Sequence, residues 1–102
     1  EMYPGKNLVF AGDFNCPQSH TVFNPLKRMG YQPVLTGQKT TLRQECIDRD
    51  CLASEYDNVF YHQGKIQVSR AGIIPFYRQF ISMKEARRLS DHVPVFVHFH
   101  LK

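Results

Sequence analysis

Apolar positions along this chain fall into short runs of two different periods, separated by polar clusters that carry glycine or proline. The first run, residues 8–11, has strand length, stops at Gly12, and delivers Asp13 and Asn15 two positions apart. In extended geometry both side chains then leave the same side of the backbone. This predicts a buried strand with polar groups at its tip, launched by a turn at Tyr3, Pro4, Gly5 and Lys6. Ser19 reads as a helix N-cap ahead of Val22, Phe23, Leu26 and Met29 at helical spacing. Pro25 limits that element to one short helix or two turns, and Gly30 stops it. Strands are predicted over 32–35 and 40–43 around a turn at 36–39, then a polar, cysteine-bearing loop or single helical turn over 44–55.

Residues 56–61 are aromatic and β-branched, a strand with Asp57, Val59 and Tyr61 on one face. After a turn at Gly64 and Lys65, the residues Ile66, Val68 and Arg70 alternate with Gln67 and Ser69 as a half-exposed strand. The apolar residues between 73 and 80 are dense and irregular around Pro75. Ser82 and Glu85 match a capping box, hydroxyl and carboxylate each satisfying an amide of the first turn, which predicts a short helix reaching Leu89. The last run places Val95, Val97, Phe99 and Leu101 in one stripe opposite Phe96, His98 and His100, a strand with one deeply buried face. The chain carries no internal repeat, low-complexity tract or interdomain linker.

Composition narrows the class. A chain of 102 residues supports one domain at most, and 42% hydrophobic content with eight Phe and five Tyr argues for a packed core and against disorder. No apolar run approaches the roughly 18 residues that a membrane span requires, and no charged-then-apolar leader is present. A first residue of Glu1 instead of Met suggests an excised or processed fragment, which leaves the destination of the parent open, a bacterial soluble or secreted protein included. The net charge is +4, and Asp13, Asp57 and Asp91 stand in the motifs below, so the remaining surface is more basic than the total. A polyanionic partner fits that balance, as does an ordinary basic surface, because the cations are scattered. The thiols Cys16, Cys46 and Cys51 lack zinc-site spacing. They leave two states open: a local disulfide between Cys46 and Cys51 with Cys16 free, or three reduced thiols.

Three polar clusters stand at strand ends: Gly12-Asp13-Phe14-Asn15, Tyr56-Asp57-Asn58-Val59 and Ser90-Asp91-His92-Val93-Pro94-Val95. Each alone reads equally well as turn chemistry. In this order they resemble the C-terminal half of the endonuclease/exonuclease/phosphatase superfamily, the DNase I-like proteins, and the spacer with Pro17, Ser19, Phe23, Leu26, Gly30 and Tyr31 looks like the helix that follows the first motif in bacterial members. The resemblance implies an α/β (α+β) fold in which residues 1–102 form half of a DNase I-like four-layer β-sandwich, one mixed sheet with short helices on its outer face.

The resemblance also implies a reaction. Phosphodiester hydrolysis needs a positioned water, neutralisation of phosphoryl charge and help for the departing alkoxide. By resemblance, Asp13 orients or deprotonates the water and contacts the metal, Asn15 donates hydrogen bonds to the phosphate, and Asp91 is a metal ligand. His92 contacts the phosphate or transfers a proton, with Asp57 holding its ring. The cofactor implied is Mg²⁺, with Mn²⁺ or Ca²⁺ as substitutes. The remaining histidines, His20, His62, His98 and His100, read as surface or packing residues.

The implied parent is a nuclease, with two alternatives: a phosphomonoesterase on lipid or sugar phosphates, or a non-catalytic phosphate-binding or assembly module. A complete member is about twice this length, and its earlier half contributes an Asn, a metal-binding Glu and a second His or Tyr. The isolated piece is therefore expected to be inactive or nearly so. Its open sheet face is expected to pack on a missing N-terminal half or on a second copy of itself.

Overall fold

The computed structural model describes residues 7–102, so the turn expected at Tyr3 to Lys6 lies outside the described residues. Its strands are β1 (Val9–Asp13), β2 (Tyr31–Pro33), β3 (Leu42–Ile47), β4 (Asp50–Leu52), β5 (Asp57–His62), β6 (Ile66–Ile73) and β7 (Val95–Leu101). The α-helices are α1 (Asn24–Arg28) and α2 (Met83–Leu89), each preceded by a single 3-10 turn. The class is mixed α/β. The strands, however, do not form one mixed sheet: they make a three-stranded sheet in the order β1-β5-β2 and two separate hairpin sheets, β3-β4 and β6-β7, with every pairing antiparallel.

Strand β5 explains the departure. Both of its edges are already taken, by β1 and by β2, so the chain that leaves β5 through the turn at residues 63–65 cannot fold back as a hairpin on β5 itself. It crosses instead to a second layer, where β6 pairs with β7. The two layers meet through Val9, Val59 and Tyr61 on one side and Ile66, Val68 and Val97 on the other, around a residual space of only about 40 Å³. That contact covers part of the final stripe. Val95 and Val97 are half-buried, whereas Phe99 and Leu101 at the far end are 52% and 55% exposed, so the deeply buried face expected for this strand is only partly realised.

The other face of the three-stranded sheet carries an aromatic core. Phe60 is fully buried, stacks on Phe23 at 4.8 Å between ring centroids, and receives Phe14 edge-on at 5.6 Å. Helix α1 with its preceding turn supplies Phe23 and Leu26 to this layer. Pro25 is accommodated because it occupies the first turn, where its missing N–H would have had no helical acceptor. Gly30 follows at φ +95, and a Cβ there would come within 2.8 Å of Nε2 of His62, so both backbone and space require glycine. A second core joins Leu42, Tyr77, Ala86 and Val93 beneath α2. Ser82 caps that helix by accepting the Glu85 N–H at 3.2 Å, one half of the capping box; the reciprocal bond from the Ser82 N–H to the Glu85 carboxylate does not form among the described residues.

Two further expectations change. Strand β1 is exposed along its whole length, Val9 to 48% and Phe10 to 41%, because it is an edge strand with β5 as its one neighbour among the described residues. Residues 44–55, expected to be a polar loop or single helical turn, instead contain most of the β3-β4 hairpin. Its two-residue turn puts Asp48 and Arg49 both at positive φ, the backbone that twists with the strands, but without the Asn-Gly pair that announces such turns. A Cys46–Cys51 disulfide fastens the hairpin, and Cys16 is a free thiol. The Cα radius of gyration is 15.4 Å, against about 13 Å for a compact chain of this length. Among the described residues no helix is long and apolar enough to cross a membrane.

Candidate active site

The register of β1 on β5 sets Asp13 directly opposite Asp57. Like charges in that relation repel, so the pairing calls for a cation between them. His92 provides it. Its Nδ1 lies 2.6 Å from Oδ2 of Asp57, and its Nε2 lies 3.6 Å from Oδ2 of Asp13 and 3.8 Å from Oδ1 of Asp91. Both ring nitrogens thus face carboxylate oxygens, an arrangement suited to the doubly protonated imidazolium.

The backbone holds the ring in place. His92 forms an isolated antiparallel bridge with Thr41, the Val93 N–H donates to the Thr40 carbonyl, and the Leu42 N–H donates to the Asp91 carbonyl. The segment entering β3 therefore grips the segment entering β7 on both sides of His92. Thr40 also reaches the site through its side chain. Its hydroxyl donates to Oδ2 of Asp57 at 2.6 Å and accepts the N–H of Asp57 at 3.0 Å and of Tyr56 at 3.3 Å, while the residue itself is fully buried. Asp57 is in this way fixed from one side by Thr40 and from the other by His92.

Asp13, Asp57 and His92 offer ligand atoms that all lie within 4.8 Å of one another. Asp91 stands outside that tight group: its side chain is 64% exposed, and it flanks only His92. Asn15 takes a different direction from the one extended geometry predicts. The strand ends at Asp13, Asn15 adopts φ 55, and its backbone N–H donates to Oδ1 of Asp13 at 3.0 Å. The Asn15 side-chain amide is left without a hydrogen-bond partner among the described residues. Above Asp13 and Asp57 lies an open recess of about 290 Å³, walled by Gly12, Val93 and Pro94.

As donors, carboxylate oxygens suit a hard cation. With the Asp57 oxygen nearest the ring committed to Thr40 and His92, Asp13 and the exposed, flanking Asp91 are the carboxylates that would hold Mg²⁺. Two carboxylates fit a Mg²⁺ site that takes the rest of its shell from water, phosphate or other residues.

The hydrogen bond to Asp57 raises the His92 pKa above its ordinary 6.5; burial opposes the shift, and the charges of Asp57, Asp13 and Asp91 add to it. Because the folded value is the higher one, His92 protonation stabilises the fold fully below pH 6.5, and that contribution is lost as pH rises through the folded value. Asp57→Asn removes the leading cause. In EDTA, NMR titration of the His92 ring is expected to give a midpoint above 6.5 in the wild type and a clearly lower one in Asp57→Asn. Equal midpoints would mean that the pair does not form in solution.

Thr40 and Thr41 bear on the site although their β-branched context predicts only a strand. Their trace in the sequence is a pair of hydroxyls at a strand entry, a weak signal. Asn58, next to Asp57, turns its amide the other way and brackets the backbone N–H and C=O of Leu35.

A curated protein from Thioalkalivibrio sp. (strain K90mix), named Deoxyribonuclease, is 33% identical to this chain over 106 residues, covering 95% of the chain. The chain spans 28% of the length of that relative. The match supports a nuclease-like relationship. No protein-family model matches the chain, and no solved structure matches it.

Proposed function

We propose that this chain is part of a Mg²⁺-dependent phosphodiesterase that hydrolyses nucleic acid, with Asp13, Asn15, Asp57, Asp91 and His92 on one wall of its active site. The observation that carries this reading is the cluster itself: a histidine held between the opposed carboxylates Asp13 and Asp57, beside an open recess. The similarity to a protein named Deoxyribonuclease favours nucleic acid over other phosphoesters.

Each residue has a task that follows from its surroundings. Asp13, its Oδ1 tied to the Asn15 N–H, keeps Oδ2 available to orient a water or accept its proton. His92, kept protonated by Asp57, donates from Nε2 to a phosphoryl oxygen or to the leaving alkoxide. Asn15 offers its side-chain amide to the phosphate. Asp57 and Thr40 position the ring and need not touch substrate. A Mg²⁺ held by Asp13 and Asp91 would neutralise charge on the phosphoryl oxygens.

In this reading the two layers belong to a DNase I-like half-sandwich, which a complementary half or a second copy completes by packing on its open sheet face. The tight cluster of the described residues contains no Glu, so the 102-residue chain alone is expected to bind Mg²⁺ weakly and to turn over little or nothing. Nicking of supercoiled plasmid by the full-length parent, not by the 102-residue chain alone, is expected with Mg²⁺ and not with EDTA, and its cleavage of bis-p-nitrophenyl phosphate is expected to exceed that of p-nitrophenyl phosphate. Absence of Mg²⁺-dependent hydrolysis of any of the three would sink the enzyme reading.

A further inference from the structure

We propose that the groove between β3 and α2 is a docking track for the sugar–phosphate backbone of a nucleic acid, in the neighbourhood of the candidate active site; this rests on the nucleic-acid reading of that site. The groove encloses about 860 Å³, larger than the recess over Asp13, and Arg43, Lys84 and Arg87 line it against a single acid, Glu45.

The cations are presented by the fold. In α2 the buried Ala86 and the core-packed Met83 set the inward face, and Lys84 and Arg87, three residues apart, share the face that borders the groove. Arg87 donates through one guanidinium nitrogen to the Leu42 carbonyl, which aims the fork and leaves its other N–H groups available. One arm of Arg43 pairs with the exposed Asp50 at 3.0 Å, while its Nε–H is shielded from solvent with no partner among the described residues. Lys84 makes no hydrogen bond or ion pair among the described residues. It also sits in the first turn of α2, where the helix dipole disfavours a cation. Helix energetics account for Arg87 and Arg88 in the last turn but give no reason for Lys84.

Leu42, itself buried, ties the groove to the neighbourhood of the site. Its N–H donates to the Asp91 carbonyl and its C=O accepts from Arg87, so one residue separates the His92 segment from the groove. A polyanion whose phosphate sits at His92 has phosphates on either side, and this basic groove receives those that extend past β3. An acidic polypeptide would meet the same charges but has no reason to run through His92.

The test measures binding and needs no turnover, so it can fail independently of the hydrolase reading. Fluorescence anisotropy with a labelled 20-nucleotide single strand and its duplex, in EDTA, compares the wild type with Lys84→Glu, Lys84→Gln and the remote reversal Arg28→Glu. Loss of one phosphate contact removes about 0.7–0.9 from the slope of log affinity against log salt, which is roughly fivefold to eightfold at 0.1 M salt. Lys84→Gln is expected to lose that much and Lys84→Glu more, with thermal melts unchanged, while Arg28→Glu loses less than about twofold, as a distant exposed charge is largely screened. An effect of Lys84→Glu no larger than that of Arg28→Glu would overturn the proposal. So would equally tight, equally Lys84-dependent binding of a labelled polyglutamate, which would assign the groove to an acidic protein.

Discussion

In the full-length parent, His92→Ala is expected to lower Mg²⁺-dependent phosphodiester cleavage by about 10³-fold, since a positioned proton donor contributes roughly 10²–10⁴ and a donor aimed at developing charge a similar factor. The variant loses more than one hydrogen bond. Without the imidazolium, Asp13 and Asp57 face each other across the β1-β5 register with nothing between them, so their mutual repulsion returns. Asp13→Ala removes the water-orienting oxygen and is expected to be as severe. Steady-state cleavage of bis-p-nitrophenyl phosphate with saturating Mg²⁺ reads both, and His92→Ala within tenfold of the wild type would remove His92 from the chemistry. Circular dichroism distinguishes lost chemistry from lost fold, because Asp57→Ala, which frees the ring, should also impair cleavage while leaving Asp13 in place.

Thr40→Val is expected to destabilise the protein by about 3 kcal/mol, far more than its small change in shape suggests. Valine matches threonine in volume and branching, so no cavity opens. What disappears is a fully buried hydroxyl that donates to the Asp57 carboxylate and accepts two backbone N–H groups. Each buried polar group left without a partner costs about 1–3 kcal/mol. For a domain of this size the melting temperature should fall by roughly 12–24 °C. Thr40→Ser retains the hydroxyl and is expected to recover most of the loss. A Thr40→Val variant within about 0.5 kcal/mol of the wild type, the range of ordinary surface changes, would show that water replaces the hydroxyl and that Asp57 is held in another way.

Some of the structure is legible in short stretches because the forces that set it are local. The capping box at Ser82 and Glu85, the stop at Gly30 and the alternation in β6 act within a few residues, and α2, α1 and β6 form where these signals fall. The β3-β4 hairpin is not legible in this way. Its turn residues, Asp48 and Arg49, are poor predictors of positive φ, and its polar strands carry no clear alternation. The Cys46–Cys51 disulfide, one of two states the spacing left open, ties the two strands together. Burial is hidden for another reason. The run at 8–11 has the composition of a core strand, yet exposure depends on how many neighbours a strand acquires, and β1 acquires only β5.

By itself the sequence determined which chemical groups this protein can use and where they stand relative to strand ends: two acids, an amide and an acid–histidine pair in three separate clusters. The tertiary structure alone decided their relations. It set Asp13 opposite Asp57, brought in His92 from 35 residues beyond Asp57, added the hydroxyl of Thr40 and left Asp91 on the exposed flank. The raised pKa of His92 follows from that arrangement, because a pKa responds to the charges and donors within a few ångströms, and those neighbours come from distant parts of the chain. Local pattern carries the periodicity of an element. It carries nothing about which element lies beside it, since β5 could choose β1 and β2, and force β6 into a second layer, only once all four were present to compete for its edges.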